Sequence, residues 1–115
     1  MDLPGHGETA YDPRLSYRIS AQAQRILRAM DTLGITRAHV VGNSLGGACA
    51  LRMALEAPDR VSALVLMGPG GVGTTRGLPT AGLKQLLNYY KGSGPSREKL
   101  TTFIRDYLVY DGSQV

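Results

Sequence analysis

The apolar residues in the first third of the chain follow a helical spacing. From Ile19 to Leu33 they recur at intervals of three and four residues, which predicts a helix with one buried face. Gly34 stands where such a helix would end, and Ser16 or Ser20 could cap its start. The pattern therefore predicts one amphipathic helix before residue 35.

Two short apolar runs without helical spacing come next. Ala38 to Val41 and Val61 to Met67 are rich in β-branched and aliphatic residues, as buried strands are. Between them, Leu45 to Ala57 predicts a helix that stops before Pro58. Continuous apolar strands that alternate with helices are typical of a parallel sheet covered on both faces, and this places the chain in the α/β class.

The pattern changes after Met67. A glycine-rich stretch follows, and beyond it two helical stripes recur, with Thr80 and Ser96 as candidate caps. The first stripe is formed by Leu83, Leu86, Leu87 and Tyr90, and the second by Leu100, Phe103, Ile104, Tyr107 and Leu108. We therefore expect an α/β part over residues 1–68 and a helical part over residues 69–115.

Composition and charge exclude several functions. The 115 residues suffice for one small domain, and the net charge of +4 comes from scattered basic residues, so nucleic acid is not an expected partner. No apolar run reaches the roughly 18 residues of a membrane span. Two histidines and scattered carboxylates show no metal-ligand spacing, and the single Cys49 excludes an internal disulfide, so a cytoplasmic location is expected.

The first predicted strand runs directly into a G-x-S-x-G motif, Gly42 to Gly46. In this context the serine lies on a sharp strand-to-helix turn that exposes its hydroxyl group, and the amide of the next residue can bind an oxyanion. Ser44 is then the nucleophile and Leu45 the oxyanion donor, while Gly42, Gly46 and Gly47 leave room for the turn. A tight turn with an ordinary serine is the alternative interpretation.

Four stretches together resemble the α/β-hydrolase superfamily and, within it, the meta-cleavage-product hydrolases. They are DLPGHGET, VGNSLGGACAL, LVLMGPGGVG and GLKQLLNYY. Members of that family are serine-dependent enzymes that hydrolyse a carbon–carbon bond during the breakdown of aromatic rings. The resemblance implies an incomplete α/β-hydrolase fold here, with two core parallel strands, flanking helices and part of a helical lid.

The resemblance also implies roles for individual residues. Ser44 would be the nucleophile, Leu45 half of the oxyanion hole, and Asn43 a polar neighbour that positions the substrate. The residues implied in the apolar substrate pocket are Gly70, Leu83, Leu86 and Tyr107. The implied partner is a small molecule derived from an aromatic compound, with no cofactor and no metal, and a homo-oligomer is left open for the full-length parent.

A dinucleotide cofactor is not expected, although residues 68–73 match G-x-G-x-x-G. Such a site needs a helix that opens at once and an acidic residue after a further strand. Here residues 74–79 intervene and no third strand is predicted.

The triad partners of Ser44 are missing from the pattern. In α/β-hydrolases the acid and the histidine follow the serine along the chain, but no histidine follows residue 44, and His6 and His39 precede it. We therefore expect a fragment or truncated reading frame of such a hydrolase, inactive or nearly so by itself. A carboxylesterase on the same fold and a non-catalytic interaction module are the alternatives.

Overall fold

The computed structural model describes residues 1–72, 81–92, 94, 96–108 and 113, except for the side chains of residues 82, 83 and 108. The chain divides into two compact units, Met1–Val72 and Gly73–Val115. The elements of the first unit are α1 (Ile19–Thr32), β1 (Ala38–Asn43), α2 (Leu45–Glu56), a 3₁₀ turn (Pro58–Arg60) and β2 (Val61–Met67); those of the second are α3 (Ala81–Tyr90), α4 (Arg97–Phe103) and a π-helical turn (Ile104–Leu108).

The two strands confirm the predicted α/β class. β1 and β2 pair in parallel, and Asn43 lies opposite Met67 at the carboxyl ends of both strands. Parallel neighbours need a crossover connection, which α2 provides. β1 extends two residues beyond its predicted end at Val41, so it runs up to the residue before Ser44.

The core of the first unit lies where α1 and α2 meet. Its fully buried cluster contains Ala23, Leu27, Met30 and Met53, and the sheet contributes the partly buried Val40 and other side chains. Because burial of apolar area is the main favourable term in folding, this cluster is the main source of stability in the unit.

The prediction that both faces of the sheet would be covered was wrong for the described residues. α1 and α2 contribute to the same buried cluster, so both helices cover the same face of the sheet. On the other face Val41, Val65 and Met67 are 63%, 52% and 51% exposed. The strands therefore alternate between covered and exposed side chains, although their sequences are continuously apolar.

The predicted serine caps of α1 were also wrong. The N-cap is Arg18, which makes no side-chain capping bond. Ser16 lies two residues too early, and its hydroxyl oxygen accepts from the Arg18 amide instead (3.5 Å). The predicted end is confirmed, because Gly34 has a φ of +67° directly after the helix.

Side-chain hydrogen bonds join the elements of the first unit at its surface. The guanidinium group of Arg60 donates to the Asp31 carboxylate (2.6 Å) and to the carbonyl oxygens of Ile35 (3.0 Å) and Thr36 (2.6 Å). Gln24 in α1 donates to the Glu56 carboxylate at the end of α2 (2.9 Å). These bonds fix the connection between α1 and β1 and tie the two helices together.

The second unit contains the two predicted helices. Ser96 caps α4 as predicted, since its hydroxyl oxygen accepts from the Lys99 amide (3.2 Å). The other candidate cap, Thr80, lies outside the described residues. The second stripe does not continue as one α-helix, because the chain widens into a π-helical turn at Ile104, where Phe103 and Tyr107 stack with ring centroids 6.1 Å apart. No helix in the described part of the chain is both long and apolar enough to cross a membrane.

Candidate active site

Ser44 lies on the turn between β1 and α2 in a strained conformation. Its φ of 49° and ψ of −112° make it the one non-glycine residue with positive φ in the described ranges. A backbone of this kind costs about 1–3 kcal/mol and occurs most often at functional sites. The Ser44 side chain is exposed and makes no capping bond to the helix, so its hydroxyl group is available to react.

Two glycines allow the backbone to pass close to itself at this turn. A Cβ atom on Gly42 would overlap the carbonyl oxygen of Gly46 and lie 2.6 Å from its carbonyl carbon. A Cβ atom on Gly47 would lie 2.9 Å from the Cβ of Pro69. Real Cβ atoms avoid both approaches, so a side chain at either position would force the backbone apart.

The steric role expected for Gly46 was wrong. A Cβ atom on Gly46 meets no heavy atom of the described residues within 4 Å. The collision across the turn has one direction: a side chain on Gly42 would meet the backbone of Gly46, but a side chain on Gly46 would not meet Gly42. Gly46 contributes its carbonyl group to this close approach, and its own lack of a side chain is not what permits it.

Backbone hydrogen bonds hold Ser44 on both sides. Its N–H donates to the carbonyl oxygen of Met67 (2.9 Å), and its own carbonyl oxygen accepts from Ala48 (3.1 Å) and from Gly70 (3.0 Å). The next amide, that of Leu45, is the first of α2, and the first N–H groups of a helix have no acceptor within it. This amide carries the partial positive charge of the helix N-terminus, so it suits a developing oxyanion.

A cavity of about 390 Å³ lies at Ser44. The structure brings the three predicted residues Asn43, Ser44 and Leu45 together in its wall. The full lining is Met1, Asp2, Leu3, His6, Asn43, Ser44, Leu45 and Gly46. The contribution of Met1, Asp2 and Leu3 was not predicted from the pattern of the chain, and the DLPGHGET resemblance was the one signal that could have found it.

The loop that closes this cavity is built around Asp2. The Asp2 carboxylate accepts a hydrogen bond from the Glu8 amide (3.1 Å), and the backbone carbonyl oxygen of Asp2 accepts one from the Thr9 hydroxyl (3.1 Å). These bonds fold the loop back on itself and bring His6 into the cavity wall.

Neither histidine holds the hydroxyl group of Ser44. His6 lines the cavity, but the hydrogen bond of its Nδ1 is to the carbonyl oxygen of Pro4 (3.3 Å). His39 lies opposite Ala63 on the sheet. Within the described ranges, Ser44 Oγ has no hydrogen bond to a histidine.

The residues implied in the substrate pocket are divided between the two units. Gly70 lines a separate cavity of about 350 Å³ with residues of α1 and α2. In the second unit, Tyr107 lines a cleft of about 490 Å³ between α3 and α4, together with Gln85, Asn88, Tyr89, Ser96, Glu98, Lys99, Thr102 and Phe103. Leu86 is not among the residues that line this cleft, and the side chain of Leu83 lies outside the described residues.

Among the described residues, two titratable side chains stand in the wall of the Ser44 cavity, Asp2 and His6. Burial raises the pKa of the Cys49 thiol, which packs inside α2 and is fully buried, so it is a core residue rather than a second nucleophile. In the part of the chain that the structure describes, no three His, Cys, Asp or Glu side chains are grouped to hold a metal ion.

Comparison with known proteins gives consistent matches. A family model described as alpha/beta hydrolase fold matches residues 1–94. A 2-hydroxy-6-oxononadienedioate/2-hydroxy-6-oxononatrienedioate hydrolase of a Pseudomonas species is 46% identical over 112 residues, which are 96% of this chain and 38% of that protein. A 2-hydroxy-6-oxo-6-phenylhexa-2,4-dienoate hydrolase of Comamonas testosteroni is 40% identical over 116 residues, 99% of this chain and 40% of that protein.

A solved structure is also similar. A meta-cleavage product hydrolase from Pseudomonas fluorescens IP01 superposes with a TM-score of 0.82 at 36% identity, over 99% of this chain and 39% of that one. The chain thus spans about two fifths of the length of the relatives it matches.

Proposed function

Because the chain belongs to the α/β-hydrolase fold family, we propose that it carries the serine nucleophile of a hydrolase that cleaves a carbon–carbon bond. The proposed substrates are vinylogous diketones formed by ring fission of aromatic compounds. The names of both relatives describe those proteins as hydrolases of unsaturated 2-hydroxy-6-oxo carboxylates. The observation that carries the proposal is Ser44, exposed on a strained turn beside a helix N-terminus and a cavity.

The proposed reaction begins with attack by Ser44 Oγ on the ketone carbonyl carbon beside the scissile bond. The oxygen becomes an oxyanion, which the Leu45 amide binds. For the bond to break, the dienol must first be converted to its 2-keto tautomer, with the 2-hydroxyl proton lost and a proton gained at C5. The oxyanion then collapses to the Ser44 ester, and the electron pair of the carbon–carbon bond passes through the conjugated double bond to the 2-keto oxygen. The resulting dienolate takes up a proton and leaves as a 2-hydroxydienoate. Water hydrolyses the remaining Ser44 ester and releases a carboxylic acid.

A base must take the proton of Ser44 in the first step. Since no histidine is hydrogen-bonded to Ser44 in the described residues, we propose that the 115-residue chain by itself is inactive or nearly so. In a comparable serine enzyme, loss of triad members leaves only residual catalysis. The one cysteine is buried and free, which suits a reducing cytoplasm, and we propose that location.

The test uses the protein expressed from its complete reading frame. Its substrates are 2-hydroxy-6-oxo-6-phenylhexa-2,4-dienoate, 2-hydroxy-6-oxononadienedioate and a p-nitrophenyl ester. Ser44→Ala should lower kcat for a dienoate by at least about 10³-fold, and Ser62→Ala, at an exposed serine on β2, serves as the matched control. Mass spectrometry should find a fluorophosphonate label on Ser44.

Two results would contradict the proposal. If Ser44→Ala turns over the dienoates at the wild-type rate, Ser44 is not the nucleophile. Hydrolysis of the ester without any cleavage of the dienoates would favour a carboxylesterase. Turnover by the purified 115-residue chain that depends on Ser44 would contradict the proposed inactivity of this chain alone.

We propose further that residues 69–115 form part of a lid and that Gly70, Leu83, Leu86 and Tyr107 contact the substrate. Leu86 and Leu87 are neighbours on α3 and are 36% and 48% exposed. Leu86→Ala should raise KM about fivefold, the effect expected for a lost apolar contact of about 1 kcal/mol. Leu87→Ala is the control, and an equal rise in KM for both variants would argue against a specific contact of Leu86.

A further inference from the structure

The segment after β2 is bound to the backbone on both sides of Ser44. Met67 accepts from the Ser44 N–H (2.9 Å), and three residues later Gly70 donates its N–H to the Ser44 carbonyl oxygen (3.0 Å). The pairing of the two parallel strands thus continues past the end of β1 and includes the turn on which Ser44 lies.

This continuation departs from a regular parallel ladder. In such a ladder the second bond would come from the residue two after the acceptor, which is position 69. Pro69 has no N–H to donate. The donor is therefore Gly70, and Gly68, with a φ of +48°, makes the bend that brings the Gly70 amide to the Ser44 carbonyl.

The bend also depends on α2. The Cβ of Pro69 lies where a side chain on Gly47 would stand, with only 2.9 Å between Pro69 Cβ and an added Cβ. Gly47 therefore lets the segment of residues 68–70 approach the first turn of α2. Without that approach the Gly70 amide could not reach the Ser44 carbonyl oxygen.

The carbonyl group of Ser44 and the N–H of Leu45 belong to the same planar peptide unit. In a trans peptide the two groups point in opposite directions, so whatever holds the carbonyl group also aims the N–H. The Ser44 carbonyl has a partner inside α2, Ala48, but that bond lies at the start of the helix, where the ladder is weakest. The bond from Gly70 is the second restraint on this peptide plane.

We propose that the Gly70 amide is a positioning group for the oxyanion donor. By holding the Ser44 carbonyl it fixes the direction of the Leu45 N–H before the substrate binds. Such preorganisation lowers the barrier because the donor does not have to reorient as charge develops. The inference rests on the proposed function, since it gives the Gly70 N–H a role in the attack by Ser44, in addition to the substrate contact proposed for Gly70.

The experiment replaces one backbone N–H by an oxygen atom and leaves every side chain unchanged. In the protein from the complete reading frame, glycolic acid replaces Gly70 during cell-free translation, which turns the amide into an ester and deletes the donor. The matched control is the same exchange at Gly71, whose N–H has no acceptor among the described residues. We expect kcat for the dienoate to fall about tenfold with the Gly70 ester, KM to stay within twofold, and the Gly71 ester to behave as the unmodified protein.

Conventional variants provide a second comparison. Gly70→Ala keeps the N–H, and its Cβ would lie in ordinary contact with Ser44 O (3.7 Å) and Ala48 Cβ (3.8 Å), whereas Gly70→Pro deletes the donor. We expect a kcat at least tenfold lower for Gly70→Pro than for Gly70→Ala. In hydrogen exchange, the Gly70 amide should be protected at least tenfold more strongly than that of Gly71, whether or not the protein turns over a substrate.

The outcomes separate the two proposals. If Ser44→Ala abolishes turnover but the Gly70 ester has the kcat of the Gly71 ester, the positioning role is wrong and the nucleophile stands. A Gly70 amide that exchanges as fast as Gly71 overturns the positioning role by itself. If Ser44→Ala keeps full activity, the proposed function fails, whatever the Gly70 variants show.

Discussion

The two units bury their apolar side chains to very different degrees. The first has six apolar side chains that are almost fully buried: Ala23, Leu27, Met30, Cys49, Ala50 and Met53. In the second, none of the described side chains is buried, and Leu87, Leu100 and Tyr107 are between 40% and 48% exposed. Both units have amphipathic helices, so helical periodicity alone does not create a core. Stability should therefore reside in the first unit, since packing rather than propensity supplies most helical stability.

At Gly42 the space for a side chain is filled by backbone, and a substitution there should have the largest effect. Gly42→Ala places a Cβ against the Gly46 backbone, which cannot yield as a flexible side chain could. We expect the free energy of unfolding to fall by more than about 4 kcal/mol, as measured by urea denaturation. Gly46→Ala is the control: it meets open space in a helix and should be neutral or stabilising by up to about 1 kcal/mol. Equal destabilisation by both would disprove the one-sided collision.

Matched truncations in the two units compare them directly. Met53 is fully buried in α2, while Leu100 is 40% exposed in α4. Met53→Ala should lower the free energy of unfolding by about 3 kcal/mol, and Leu100→Ala by less than about 1 kcal/mol.

Alkylation of Cys49 measures opening of the first unit, because burial both shields this thiol and raises its pKa. Faster alkylation is expected for Met53→Ala alone; the same increase for Leu100→Ala would show that the units share their stability.

The smallest effect concerns two surface carboxylates. A hydrogen bond from Gln24, and after it one from Arg52, holds the pKa of Glu56 below its usual range, while Arg105 does the same for its neighbour Asp106. A lowered pKa stabilises the folded state above the pKa of the unfolded chain, about 4.3 for glutamate, and this contribution is lost as pH falls through the folded value.

Of these two carboxylates, that of Glu56 bonds to both α1 and α2, so its charge, and not that of Asp106, should matter to the first unit. Thermal melts should show a small loss of Tm for Glu56→Gln at pH 7 that disappears near pH 3. Asp106→Asn should leave the melting of the first unit unchanged at both pH values. If the Tm of Glu56→Gln is still lower than that of the wild type at pH 3, the loss of the carboxylate charge does not explain the lower Tm.

Local pattern predicted much of the first unit but not its close contacts. The spacing of apolar residues placed β2 at its observed bounds and α2 to within one residue, and the motif placed Ser44 between them. The sequence could not show that α1 and α2 share one face of the sheet, because continuous apolar strands predict cover on both. Nor could it show that Gly70 bonds to Ser44, since that contact depends on a bend at Gly68 and on the room left by Gly47.

The second unit shows a different limit. The serine cap at Ser96 followed from a local rule and is confirmed. The π-helical turn at Ile104 interrupts a stripe whose residue types fit an unbroken helix, so no residue signalled it. The substrate roles of Gly70, Leu83, Leu86 and Tyr107 came from resemblance and stay predictions.

The hydrogen bonds of Arg60 and Gln24 have a consequence for the order of folding. They join residues 24 to 32 positions apart, and the connection between the paired strands β1 and β2 consists of α2 and the 3₁₀ turn. The entropy cost of closing a loop rises only by about 0.6 kcal/mol for each doubling of its length, and every one of these loops is closed by residues that lie before Gly68. The segment from α1 to β2 can therefore fold while later residues are still being synthesised. The turn that contains Ser44 would then form early in folding.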